Sequence, residues 1–134
     1  KIDDEYLEDN PNENVQKKTK QILGKEFDLI WRKYNYIYIN QYPIADIVII
    51  HFDRKRIMEG TNIPIIKVKG KLGKDIPILA IINGTPQQIF SVLKVGVYDY
   101  ITTVEDTQVY KNKLKAIVLW KRYRDNYGLK DEKH

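Results

Sequence analysis

The sequence contains no cysteine, and that absence alone removes several functional classes. No disulfide staples the fold, and neither a zinc ribbon, a cysteine-ligated iron–sulfur cluster nor a thiol nucleophile is available. Long apolar runs are missing as well. No run, residues 47–50 before His51 included, approaches the roughly 18 to 20 residues a membrane span requires. A soluble, cytoplasmic domain with no membrane partner is therefore the expectation. An initiating methionine is missing too, since only Lys1 and Ile2 precede a cluster of acids. The chain reads as part of a longer protein, so its function is expected to belong to a larger whole.

What is present is 134 residues, of which 43% are hydrophobic and 31% charged, with a formal net charge of +5. That is one domain's worth of chain, enough for a single core and too little for two. Isoleucine, lysine, asparagine and tyrosine are over-used, a bias typical of AT-rich coding sequence. Each single lysine or asparagine carries less information for that reason.

Residues 1–14 are acidic and turn-rich around Pro11 and read as a loop leading into a helix. Val15, Thr19, Ile22 and Leu23 then recur at helical spacing, and Gly24 is placed to end that helix through a left-handed cap. A short strand is expected over residues 27–31, where Phe27, Leu29 and Trp31 alternate with Asp28 and Ile30. Residues 33–42 suit either a strand or a short helix. Residues 46–52 and 77–82 are near-continuous runs of Ile and Val or Leu, the pattern of strands buried on both sheet faces. Residues 98–102 form a third, more polar version. Helices are predicted over residues 62–72, with Pro64 tolerated in the first turn, over residues 87–95 before Gly96, and over residues 106–127 from the N-cap candidate Asp106.

Strands that are apolar throughout, alternating with helices at this spacing, predict a parallel sheet covered by helices on both faces. In such a sheet ligands lie beyond the carboxyl ends of the strands. The positions to inspect are then Asp3 and Asp4, residues 51–53, residues 83–85, and Thr103.

Those positions, with their neighbours, resemble a receiver domain of the bacterial two-component response regulators. The resemblance rests on an ordered set of segments spanning Asp3 to about Arg124. They are the acidic Asp3, Asp4 and Glu5; the strand Asp46, Ile47, Val48, Ile49, Ile50; and Met58, Glu59 and Gly60, which match a Met-Asp-Gly turn. Ile76, Pro77, Ile78 and Leu79 match the start of the fourth strand, and Gly96, Val97, Tyr98, Asp99, Tyr100 and Ile101 the approach to the fifth. The fold this resemblance implies is α/β: a flavodoxin-like (βα)5 receiver with a parallel five-stranded sheet and helices on both faces. Its first strand is reduced to Lys1 and Ile2, so that strand is expected to be truncated or irregular. The implied organisation is a degenerate receiver over residues 1–124 and a helix end or linker over residues 125–134.

A working receiver holds Mg²⁺ on the acidic pair and on an Asp at the end of the third strand, which also accepts the phosphoryl group. Carried onto this sequence, the acceptor position is His51. The hydroxyl position at the end of the fourth strand is Ile82, and the lysine position at the end of the fifth is Thr103. Ile82 cannot hydrogen-bond and Thr103 carries no charge, so a phosphoryl group here lacks its usual stabilisation. The resemblance thus implies a vestigial site made of Asp3, Asp4, His51, Ile82 and Thr103, with no catalytic residue. No cofactor is expected, no metal beyond a weak divalent ion on Asp3 and Asp4, and no enzymatic activity from this chain. The alternative acceptor is Asp53, on the same side of an extended strand as His51 and roughly 6 to 7 Å from it. With Asp53 as acceptor the chain would be an active, Mg²⁺-dependent receiver. The bland reading makes Asp53 a solvated loop residue beside Arg54 and Arg56.

Within the family the pattern looks like the second, adaptor receiver of PleD-type response regulators. Its parts are the non-Asp strand end, Pro77 through Ile82, and a terminal helix running into Lys121, Arg122, Tyr123, Arg124 and Asp125. What this implies is a dimerisation adaptor in a cytoplasmic signalling protein. Its partners are a second copy or an adjacent receiver, and a downstream GGDEF diguanylate cyclase as output. No Gly-Gly-Asp-Glu-Phe motif is present, so the chain itself cannot make cyclic-di-GMP. The interface expected for such an adaptor comprises Phe90, Tyr98, Trp120 and Tyr123. In the last helix Tyr110, Leu114, Ile117 and Val118 form a core-facing stripe, while Trp120, Tyr123 and Tyr127 form a second one. These aromatics either cap the domain's own end or pack on a partner. A sequence pI of about 9.2 raises nucleic-acid binding as a further alternative. No reader motif accompanies it, and a basic face meeting an acidic partner domain accounts for it better.

Overall fold

Five consecutive residues without a polar side chain, Ile78–Ile82, are all buried. They fit only where both faces of a strand are covered. In the computed structural model of the chain, which describes residues 11–31 and 45–128, this segment is the central strand of a three-stranded parallel sheet. The elements run in chain order as α1 (Pro11–Leu23), β1 (Val48–Phe52), α2 (Arg54–Glu59), α3 (Asn62–Leu72), β2 (Ile78–Ile82), α4 (Pro86–Val95), β3 (Asp99–Ile101) and α5 (Thr107–Tyr123). A π-helical turn, Arg124–Gly128, ends the series. The sheet order is β1-β2-β3, with Ile50 opposite Ala80, His51 opposite Ile81 and Phe52 opposite Ile82; Ile81 faces Ile101 on the other side.

The strands alternate their side chains between two cores. Ile50, Phe52, Ile78, Ala80 and Ile82 pack on one side with Ile65 and Val68 of α3 and Val92 of α4. Leu79, Ile81 and Ile101 pack on the other with Val15 of α1 and Tyr110, Leu114 and Ile117 of α5. Each fully buried aliphatic side chain contributes about 1.5 to 3 kcal/mol relative to exposure. The two-sided burial explains why β2 reads as an unbroken apolar run and β1, half-buried at Val48, Ile49 and His51, as a run broken only by His51.

The connections follow from local chemistry. Asp53 caps α2 through Oδ1, which accepts from the Arg56 N–H at 2.8 Å. Thr85 and Gln88 form a reciprocal capping box at α4, with Pro86 in the first turn. Asp106 caps α5, accepting from the N–H groups of Gln108 and Val109, as its place before the helical stripe predicts. Gly96 ends α4 in a left-handed conformation at φ 115°, where a side chain would be strained. No helix among the described residues is long and apolar enough to cross a membrane.

The structure corrects two local expectations and narrows the fold class. Gly24 is not a left-handed cap, for it is not among the positive-φ glycines. Its N–H continues the helical pattern to the Lys20 carbonyl at 2.8 Å, and a Cβ on it would lie 2.4 Å from that oxygen. Glycine is needed there for close approach rather than for handedness. Residues 27–31 form no strand. The alternation is real, since Phe27, Leu29 and Trp31 are half-buried while Asp28 and Ile30 are exposed. Alternation sets which face is covered, however, and only a neighbouring ladder makes a strand. Among the described residues the sheet has three strands, not five. The expected first strand, with Asp3 and Asp4, and the ambiguous residues 33–42 lie outside the described residues.

Candidate functional site

The carboxyl ends of β1, β2 and β3 lie side by side, which brings His51, Ile82 and the loop holding Thr103 to one edge of the sheet. Their side chains do not converge. Ile82 pairs with Phe52 and belongs with it to the core under α3 and α4. His51, one residue out of phase, shares the face of Ile49 and Ile81 towards α1 and α5. The residue that shares both register and face with Ile82 is Phe52, which is again no carboxylate. Thr103 is exposed, and its hydroxyl accepts from the Glu105 N–H at 3.1 Å, closing the turn after β3. Asp3 and Asp4 lie outside the described residues.

Asp53 sits just past β1, and the cap it provides for α2 occupies Oδ1. Arg56, one turn into that helix, donates from Nη1 to the His51 carbonyl at 3.2 Å. The strand end, the cap and the short helix form one interlocked corner.

His51 is half-buried, and loss of hydration on burial pushes its imidazole below the ordinary 6.5; Asp53 opposes the shift and Arg56 adds to it. With the folded value lowered, the unfolded chain takes up the proton more readily. Stability from this residue is intact above pH 6.5 and falls as the pH drops below that value. His51→Gln is therefore expected to lose less stability than the wild type between about pH 7.5 and about pH 5, as read from urea midpoints. A gap that stays constant with pH would contradict this assignment.

A lysine that the sequence did not mark reaches the same edge. Lys18 of α1 donates from Nζ to the carbonyls of Val104 and Glu105 at 2.7 and 2.6 Å. One residue along, Thr19 Oγ1 donates to the Val15 carbonyl at 2.7 Å and meets the Tyr110 hydroxyl at 2.6 Å, both fully buried. Helical spacing places residue 18 beside the apolar stripe but does not say what it meets. Among the described residues no three His, Asp or Glu side chains gather where a metal ion would sit.

The second candidate is a surface. Tyr98 stacks on Trp120 with centroids 6.2 Å apart, Trp120 on Tyr123 at 6.2 Å, and Tyr123 packs on Tyr127 at 5.3 Å. The row runs from the start of β3 along α5 into the π-turn, and exposure rises along it from 39% at Tyr98 to 63% at Tyr127. It comprises three of the four residues expected at an interface, joined by Tyr127. Phe90, on α4, is exposed but makes no ring contact with the row. Arg124 donates to the Asp75 carbonyl, tying the helix end to the loop before β2. Several basic residues are already engaged: Lys113 with Asp99 at 2.7 Å, Lys121 with Asp125 at 2.8 Å, and Lys69 with the Lys74 carbonyl at 2.7 Å.

No family model, curated protein or solved structure matches the chain.

Proposed function

We propose that the chain is a receiver-like adaptor that takes no phosphoryl group and works by association, with a second copy or an adjacent receiver as partner. It carries no catalytic activity and needs no cofactor. A response regulator with a GGDEF diguanylate cyclase output is the setting this reading implies, in the cytoplasm. The observation that carries it is the exposed row Tyr98, Trp120, Tyr123 and Tyr127, because aromatic side chains presented together are typical of the buried centres of protein interfaces. Two facts lend support. The described strand ends offer His51, Phe52, Ile82 and Thr103 where acyl-phosphate chemistry needs a carboxylate, a hydroxyl and a cation. Asp53, the alternative acceptor, spends an oxygen on its helix cap.

The test is a titration with Mg²⁺ and beryllofluoride, followed through Trp31 and Trp120 fluorescence. No change beyond a salt control is expected. A saturable response that needs both reagents and is lost in Asp53→Asn would replace this reading with that of an active receiver.

A further inference from the structure

A shallow cavity of about 380 Å³, largely open to solvent, lies between the α2–α3 junction and the first turns of α4. Ile57 and Ile63 give it apolar walls, and Asn62, Gln87, Gln88 and Ser91 give it polar ones; no lining residue is charged. Two of its amides have their oxygens held by protein donors. Asn62 Oδ1 accepts from the Ser91 hydroxyl at 2.8 Å, and Gln88 Oε1 accepts from the Thr85 N–H at 2.8 Å in the capping box. Once each oxygen is held by a protein donor, the opposite end of each amide is an NH₂ group. Among the described residues neither NH₂ group has an acceptor. The site therefore offers amide donors beside an apolar surface, with no charged side chain in its lining.

We infer that this cavity binds a small uncharged ligand bearing carbonyl acceptors on an apolar body, the chemistry of a blocked amino acid, with Asn62 Nδ2 and Gln88 Nε2 donating to it. Nothing in this inference depends on the adaptor reading.

The test uses N-acetyl-leucine methylamide as the neutral probe and N-acetyl-leucine as its carboxylate counterpart. Binding is followed by chemical shifts of the Asn62 and Gln88 side-chain amides and of the Thr61 and Ser91 backbone. Saturable shifts are expected with the neutral probe and weaker ones with the carboxylate. The double variant Asn62→Asp, Gln88→Glu keeps both accepting oxygens and adds charge only in first helical turns, where it is favourable, so its fold is expected to persist. Its affinity for the neutral probe is expected to fall by about tenfold or more, the effect of roughly 1.4 kcal/mol. No saturable shift in the wild type, equal affinity in the double variant, or preference for the carboxylate would each overturn the inference.

Discussion

Replacing Tyr110 by alanine is expected to remove about 3 to 5 kcal/mol of stability, the range for deleting a fully buried aromatic ring. Tyr110 is 0% exposed and lies in the core that joins α1 and α5 to the sheet. Its hydroxyl also meets Thr19, itself 1% exposed, so truncation leaves both a cavity and a buried hydroxyl with one partner fewer. Against a total of about 5 to 15 kcal/mol for a small domain, such a loss brings the chain close to unfolding at room temperature. Tyr110→Phe keeps the ring and gives up only the hydrogen bond, at about 1 kcal/mol. The pair separates packing from hydrogen bonding in urea denaturation followed by circular dichroism. Burial also pushes the Tyr110 hydroxyl up to about 12 from 10.0, with the Thr19 contact opposing. Above pH 10 the unfolded chain releases this proton first, so wild-type stability falls with rising pH from that point. Tyr110→Phe is expected to lack that component. Equal alkaline sensitivity in both proteins would contradict the placement of this group.

The second large effect concerns the aromatic row. The double variant Trp120→Ala, Tyr123→Ala is expected to weaken self-association by about thirtyfold or more, corresponding to roughly 2 kcal/mol for the loss of central aromatic anchors. Both side chains are substantially exposed, at 40% and 57%. The core-facing stripe of the same helix, Tyr110, Leu114, Ile117 and Val118, is untouched. The fold should survive, and the far-ultraviolet spectrum and urea midpoint are expected to stay close to wild type. A variant that is folded and associates as tightly as the wild type would remove the row from the interface.

The core was legible where burial is two-sided. β1 and β2 announced themselves because a strand covered on both faces has few polar positions to blur the pattern, His51 being the one in β1, and α5 announced itself through Asp106 and the stripe from Tyr110 to Val118. Two helix ends were legible for a different reason, since Asp106 and Gly96 act through their own backbone neighbourhood, while the cap at Thr85 was not marked. What the sequence hid was pairing across elements. One-dimensional spacing placed His51 and Ile82 together at strand ends, whereas the register of β1 on β2 sets them on opposite faces and gives Ile82 the company of Phe52. Residues 27–31 kept their alternation but found no ladder. The short α2 has no periodic stripe to read, and its cap, Asp53, looked like a loop residue. Lys18, Thr19 with Tyr110, and Asn62 with Ser91 all depend on contacts between residues far apart in sequence. No local pattern encodes those.

The central claim is that association requires no phosphoryl group. Sedimentation velocity of the wild-type chain over a concentration series, with and without Mg²⁺ and beryllofluoride, tests it most directly. The account predicts a concentration-dependent dimer whose dissociation constant is the same in both conditions. A chain that stays monomeric until both reagents are added would contradict it.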